Sequence, residues 1–261
     1  MAASPEADPG RLVGSDRVLA VLVELAERPQ GATLEELAVA VDSPKSTVHR
    51  ALSSLRRARL ATQLGRGTYV VGDEFLRLAF ENHAQRPDRL VVEPILRALV
   101  DRFGETAHYA VRDGAEIVYR AKVDPSSGSV RLTSTVGGRN PAYRTAVGKL
   151  LLSEAVRDAG ELAEIVGAGP FEARTPHTIT TLDELWGEVR RTRERGYAVD
   201  DQENEVGVNC VAVPVGVGAA DPGMTGAVSV SALAFRLPLA ELVARADEIR
   251  GLVADAGRGS L

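Results

Sequence analysis

A single cysteine, Cys210, stands among 261 residues. A lone thiol closes no intrachain disulfide, which excludes the cross-linked secreted scaffolds and fits a reducing, cytoplasmic setting. No apolar run approaches the roughly 20 residues that a membrane-spanning helix needs. Met1 to Gly10 is rich in Ala, Pro, Asp and Glu and has neither a basic leader nor an apolar core. Residues 1–13 are therefore expected to be a disordered tail, not a signal peptide. Net positive charge is missing too: 31 Lys and Arg face 36 Asp and Glu, for a net charge of −5. Taken whole, that balance argues against a nucleic-acid partner. Enzyme signatures are also scarce. There is no Gly-x-Ser-x-Gly elbow, and Ala146-Val147-Gly148-Lys149 lacks the upstream glycines of a phosphate loop. His83, His108 and His177 are scattered and lack metal-ligand spacing. No histidine is recognisably paired with Cys210. No metal, no other cofactor and no catalytic activity are expected.

The charge is unevenly spread, and that changes the picture. Residues 14–72 hold 8 basic and 6 acidic groups, whereas residues 73–261 hold 22 basic and 28 acidic. From Ser43 to Gly72 there are six Lys and Arg and no acid. A weakly basic N-terminal module thus precedes an acidic body, and 261 residues are enough for two cores.

Within that basic stretch, Val48, Ala51, Leu52 and Leu55 recur at the helical period. Ser43 suits an N-cap and Pro44 a first helical turn. The opposite face carries Lys45, Ser46, Thr47, His49 and Arg50. Cations there can meet phosphates, and small hydrogen-bonding groups can meet base edges. Upstream, residues 14–28 read as a helix with Ser15 as its cap and a stripe of Val18, Leu19, Leu22, Val23 and Ala26. Thr33-Leu34-Glu35-Glu36 is a capping box opening a second helix, Leu34 to Val41, with Leu34, Leu37, Ala38 and Val41 inward. A turn of very few residues then leads into the basic helix, which is helix-turn-helix spacing. Leu60–Leu64 and Thr68–Gly72 flank Gly65-Arg66-Gly67 and read as a hairpin wing with Arg66 at its tip, in reach of DNA.

Ser43-Pro44-Lys45-Ser46-Thr47-Val48-His49-Arg50-Ala51-Leu52-Ser53-Ser54-Leu55 followed by a short wing resembles the IclR family of bacterial transcriptional regulators. The rest of the chain carries the likeness from about residue 14 to 256. Its further segments are Gly138–Lys149, the long run Gly196–Val215, and Gly226-Ala227-Val228-Ser229-Val230-Ser231-Ala232. The resemblance implies an α+β chain. A winged helix-turn-helix domain over 14–72 and a linker helix over 73–87 precede a GAF-like effector-binding domain with an antiparallel sheet over 88–261. It also implies that Phe75, Leu78 and Phe80 of the linker meet a second protomer.

The residues of the second domain agree with that outline. A helix is expected over Asp88–Phe103, with Pro94 starting or kinking it. Glu105–Arg112 and Ala115–Arg120 alternate around Asp113-Gly114, a strong hairpin signal. Val130-Arg131-Leu132 is read as a further strand. Helices are expected over Ala146–Val156, Leu162–Val166, Leu182–Arg195 (capped by Thr181, closed by Gly196) and Leu237–Ala256. Strands are expected over Tyr197–Asp200, Asn209–Val217 and Gly226–Leu233. Antiparallel hairpins with helices on one side give an α+β layer.

Thr145-Ala146-Val147-Gly148 opens a helix whose first N–H groups are free to meet an anion. Ser229 and Ser231, two apart on a strand, share a face. By the resemblance, Ala146, Val147, Asp200, Cys210, Ser229 and Ser231 line the effector pocket. The implied effector is a carboxylic or sugar-acid metabolite, and the partners are double-stranded operator DNA and a second copy of the chain, as a homodimer or a dimer of dimers. The implied role is a ligand-responsive regulator, a repressor before an activator. Read from the residues alone, a small-molecule enzyme using Cys210 and a ligand-independent DNA-binding protein remain as alternatives. Asp201, Glu203 and Glu205 read as solvated loop charges. Three positions depart from the family pattern: Asn140 where an apolar residue is usual, Arg144 where a small one is, and Ala232 in place of glycine. Asn140 and Arg144 either make the pocket mouth more polar, recruiting a second carboxylate, or lie on the surface.

Overall fold

The computed structural model describes residues 14–65, 67–126, 132–216 and 225–258. They form two compact units that meet in sequence at Gln85 and Arg86.

The first unit runs α1 (Gly14–Ala26), β1 (Ala32–Thr33), α2 (Leu34–Ala40), α3 (Lys45–Arg57), β2 (Ala61–Leu64), β3 (Thr68–Val71) and α4 (Asp73–Ala84). Its antiparallel strands lie in the order β1-β3-β2. Val21, Leu25, Leu37, Val48 and Leu52 form its core. The capping box is present: Glu36 N–H donates to Thr33 Oγ1 at 3.2 Å, and Thr33 N–H donates to the Glu36 carboxylate at 2.7 Å. All four residues of the α3 seam are buried.

Other expectations for this unit need correction. In α1 the buried residues are Val21 and Leu25, while Leu19 and Val23 are exposed. Apolar residues surround that helix between Val18 and Leu25, so periodicity cannot choose a face and packing on α3 does. Ser43 does not cap α3; Pro44 takes the N-cap position, and the Ser43 hydroxyl donates to Val41 O at 3.1 Å. Asp42, at φ +44°, turns the chain instead. Leu34 is only half-buried. The strand β1, of two residues, is too short to show a period in sequence. Arg66 lies outside the described residues. No residue of α4 is buried, and Leu76, Leu78 and Phe80 are exposed.

The second unit begins with α5 (Pro87–Phe103) and the hairpin β4 (Thr106–Asp113) and β5 (Glu116–Val123). Next come β6 (Arg139–Pro141), a 3-10 turn over Ala142–Arg144, α6 (Ala146–Ala155), α7 (Ala159–Val166) and α8 (Leu182–Arg195). It ends with β7 (Ala198–Asp201), β8 (Val208–Gly216), β9 (Thr225–Leu233), α9 (Leu239–Ala244) and α10 (Ala246–Arg258). The six strands form one antiparallel sheet in the order β6-β5-β4-β9-β8-β7. Leu132 lies outside any strand, and residues 130 and 131 fall outside the described residues.

Helices cover both faces of this sheet, not one. On the first face Val211, Val213, Val215, Val228 and Val230 pack on Leu96 and Leu99 of α5 and Ile249 of α10. On the second, Ala110, Ala198, Ala212 and Ala227 meet Val147, Leu150 and Leu151 of α6. The central strand β4 is consequently buried on both sides from Thr106 to Val111 and does not alternate. The terminal helix is broken at Arg245, whose guanidinium lies 4.1 Å from the centre of the Phe103 ring and bonds Glu248 at 2.8 Å. A register shift between β4 and β5 at Tyr109/Ala110 leaves Arg120 as an extra residue. Arg120 there reaches the buried carboxylate of Asp88, in the first turn of α5, at 2.7 Å.

Candidate DNA-reading surface and effector cavity

On α3, burial of the apolar seam leaves Lys45, Ser46, His49 and Arg50 exposed and Thr47 half-buried. Lys45 Nζ bonds Glu35 Oε1 at 2.8 Å, an exposed pair that DNA phosphates can displace at little cost. Five of the six residues expected to meet DNA therefore share one solvent-facing surface, and the sixth, Arg66, is not described.

The second face of the large sheet is lined by small and polar side chains. In Cys210-Val211-Ala212-Val213 and Ala227-Val228-Ser229-Val230-Ser231 the valines go to the solid core, and Cys, Ala and Ser go to the α6 side. Short side chains leave space, and a cavity of about 360 Å³ opens there. Ala146, Val147, Asp200, Cys210, Ser229 and Ser231 all line it. The sheet register explains the convergence: Asp200 pairs with Cys210 and Cys210 with Ser231, while Ser229 pairs with His108.

Thr145 caps α6 by accepting the Gly148 N–H at 3.1 Å. The N–H groups of Ala146 and Val147 fall in the first turn, where the helix itself supplies no acceptor. Any Cβ on Gly148 would overlap the Ala142 carbonyl, so glycine lets the 3-10 turn lie directly against α6.

His108, read as an isolated histidine, belongs to the cavity. The Cys210 thiol donates to Ser231 Oγ at 3.1 Å, and Ser231 Oγ lies 3.2 Å from His108 Nδ1. His108 Nε2 is 2.8 Å from Ser134 Oγ. Burial, then the charge of Lys122, pushes His108 down to about 3, so the ring is neutral. A neutral ring has one donor and one acceptor. The thiol's donation frees the Ser231 proton for Nδ1, and Nε2–H then faces Ser134. Cys210 thus does reach a histidine, through a serine that no sequence spacing reveals. Burial, then Asp200, raises its thiol well above the usual range and keeps it protonated. Lys122 Nζ donates to Leu132 O at 3.0 Å and Ser134 O at 2.9 Å, holding that segment over the cavity.

Asp200 is buried, and burial raises it to about 7 against the opposing charge of Lys149. Its Oδ1 accepts the Glu203 N–H at 2.7 Å. Glu203 is not a solvated loop charge. It is buried and pairs with the fully buried Lys149, and its Oε2 has no hydrogen-bond partner among the described residues. The hydroxyls of Thr175 and Thr178 bond the Gln202 and Glu203 carbonyls, both at 2.7 Å, fixing that turn. Asp201 is exposed as expected; Glu205 is half-buried and lines the cavity. Among the described residues no three His, Cys, Asp or Glu side chains are grouped to hold a metal ion, and no helix is long and apolar enough to cross a membrane.

A helix-turn-helix with a basic exposed face, joined to a two-faced sheet with a polar cavity, defines a DNA-binding regulator with a ligand receptor. Comparison with known proteins agrees. Residues 15–65 match the IclR helix-turn-helix domain, and residues 88–258 match the C-terminal domain of bacterial transcriptional regulator IclR. The chain is 31% identical over 208 residues to the Pca regulon regulatory protein of Pseudomonas putida, covering 80% of this chain and 70% of that one. A transcriptional regulator of Rhodococcus sp. RHA1 superposes with a TM-score of 0.76 at 30% identity, covering 93% of this chain and 95% of that one. The fold is shared with an IclR homologue of Microbacterium hydrocarbonoxydans in complex with 4-hydroxybenzoate. That likeness has a TM-score of 0.74 at 21% identity, over 94% and 95% of the two chains. The chain belongs to the IclR family of bacterial transcriptional regulators. It joins a DNA-binding helix-turn-helix domain to a C-terminal effector-binding domain.

Proposed function

We propose that this regulator is a cytoplasmic repressor that binds a palindromic operator as a homodimer or a dimer of dimers and responds to a small organic acid. Lys45, Ser46, Thr47, His49 and Arg50 of α3, with Arg66 of the wing, contact the DNA. Ala146, Val147, Asp200, Cys210, Ser229 and Ser231 hold the effector. The convergence of those last six residues on one cavity is the observation that carries the reading. Their chemistry suits an acid. The α6 N–H groups take a carboxylate, and the buried Ser229 lines the same space. Asp200 accepts a ligand hydroxyl. The acid found with the Microbacterium homologue, 4-hydroxybenzoate, combines those two groups. Shifting the protein from 1:99 to 99:1 between two states takes about 5.5 kcal/mol of differential binding, which a few charge-assisted hydrogen bonds can approach.

The test is calorimetry of the purified chain against a panel of monocarboxylic, hydroxy and sugar acids, followed by operator binding with and without the best ligand. Binding that weakens the operator complex supports the reading. A protein that binds its upstream DNA and ignores every acid refutes it.

A further inference from the structure

Arg144 has no carboxylate partner among the described residues; its guanidinium is held by two amides. Nε donates to Asn204 Oδ1 at 2.9 Å and Nη2 to Asn140 Oδ1 at 3.3 Å. Arginine has donors only, so both amides must turn their oxygens toward it, whichever way an amide is first assigned. Their NH₂ groups then point elsewhere. Both asparagines line the cavity, as does Tyr119. A second cation at the cavity, Arg174, also lacks an ion-pair partner among the described residues. Asn140 and Arg144, four residues apart in sequence, are thus one device with Asn204. An arginine, half-buried beside the cavity, holds the oxygens of two cavity-lining amides and so leaves their NH₂ groups as the ends available to a ligand.

We propose that Arg144, acting through Asn140 and Asn204, makes the cavity selective for an effector with two acidic groups, a dicarboxylic acid. This rests on the acid-effector reading above. One carboxylate meets the α6 N–H groups and Ser229. The other meets the amide donors, with the charges of Arg144 and Arg174 behind them. An amide free to rotate presents its oxygen as readily as its nitrogen and repels an anion half the time; an amide locked by arginine does not. Arg144 is a positioning residue, since it touches the ligand only through its neighbours.

The test compares matched acids by calorimetry on the full chain: butyrate against succinate and glutarate, and benzoate against its 1,3- and 1,4-dicarboxylates. In the natural chain at least one diacid is expected to bind about tenfold or more tighter than its monoacid, the size of one hydrogen bond to a charged group. Arg144→Met and, separately, Asn140→Ala are expected to collapse that ratio toward one while monoacid binding persists. Arg144→Lys, which keeps a donor for both oxygens, is expected to restore most of it. A ratio unchanged in Arg144→Met, or monoacids as tight as diacids in both series, overturns the proposal and leaves the acid-effector reading intact. Silence toward every acid, monoacids included, overturns both.

Discussion

Asp200 and His108 share one cavity and shift in opposite senses. Asp200 is raised to about 7, so it keeps its proton in the fold where the unfolded chain has lost it. Its contribution to stability is present at low pH and drains away between about 4 and 7. His108 is lowered to about 3, so the unfolded chain binds a proton that the fold refuses. Its contribution is present above the ordinary histidine range and is lost as pH falls from about 6.5 toward 3. Over about pH 4 to 6.5 the two slopes oppose each other. Urea unfolding across that window should show that Asp200→Asn, relative to the natural chain, tilts stability upward with pH. His108→Gln should tilt it downward. Parallel curves for all three proteins would contradict the assigned shifts. Lys45 supplies a second test at this scale. Removing one phosphate-neutralising cation should flatten the salt dependence of DNA binding by about 0.9 in log K against log salt. Lys45→Ala measured by fluorescence anisotropy at several salt concentrations reads that slope directly.

Among the elements, α6 carries the most consequence. It is buried from Ala146 to Ser153, its first turn faces the cavity, and Gly148 brings it against the turn that ends in Arg144. Gly148→Ala must push the two apart. Overpacking of this kind costs about 1–3 kcal/mol. We expect a lower thermal midpoint, together with weakened acid binding out of proportion to the lost stability. A variant that melts earlier yet binds acids unchanged would show that the turn does not shape the cavity. The elements themselves were largely legible in the residue pattern. Thr33 and Glu36 state where α2 begins, Asp113-Gly114 states the hairpin, and Thr181 and Gly196 bracket α8. Apolar residues ring α1, so its period does not single out the buried face of Val21 and Leu25. The strands β1 and β6, of two and three residues, carry too few positions for a period. Hairpin signals report only adjacent strands and so leave one face of the sheet open, whereas burial of β4 on both sides comes from neighbours far along the chain.

For the molecule as a whole, the charge partition is the governing fact. A module of net +2 over residues 14–72 is tied to a body of net −6. The body's net negative charge opposes a polyanion, so the reading module carries most of the attraction, and one weakly basic module is a modest anchor. In the dimer proposed above, two of them would reach half-sites about one helical turn apart. Leu76, Leu78 and Phe80 of α4 are exposed and would supply apolar surface to that proposed pairing. Inserting about five base pairs between the half-sites turns them to opposite sides of the duplex, and affinity should fall by at least tenfold. An electrophoretic mobility series with 0, 5 and 10 inserted base pairs checks this. Equal affinity at all three spacings would mean that each module binds independently.

The sequence by itself determined what depends on near neighbours: the capping box, the hairpins, the seam and polar face of α3, and the wording that places the chain in its family. It also contained the six cavity residues, through that likeness. Only the tertiary structure decided which distant groups face them. His108 meets Ser231 across 123 residues, and Lys149 meets Glu203 across 54. Arg144 finds Asn204 across 60. A period of two or of 3.6 reports which side a residue takes, but strand order decides what stands on that side, and strand order is a property of the whole sheet.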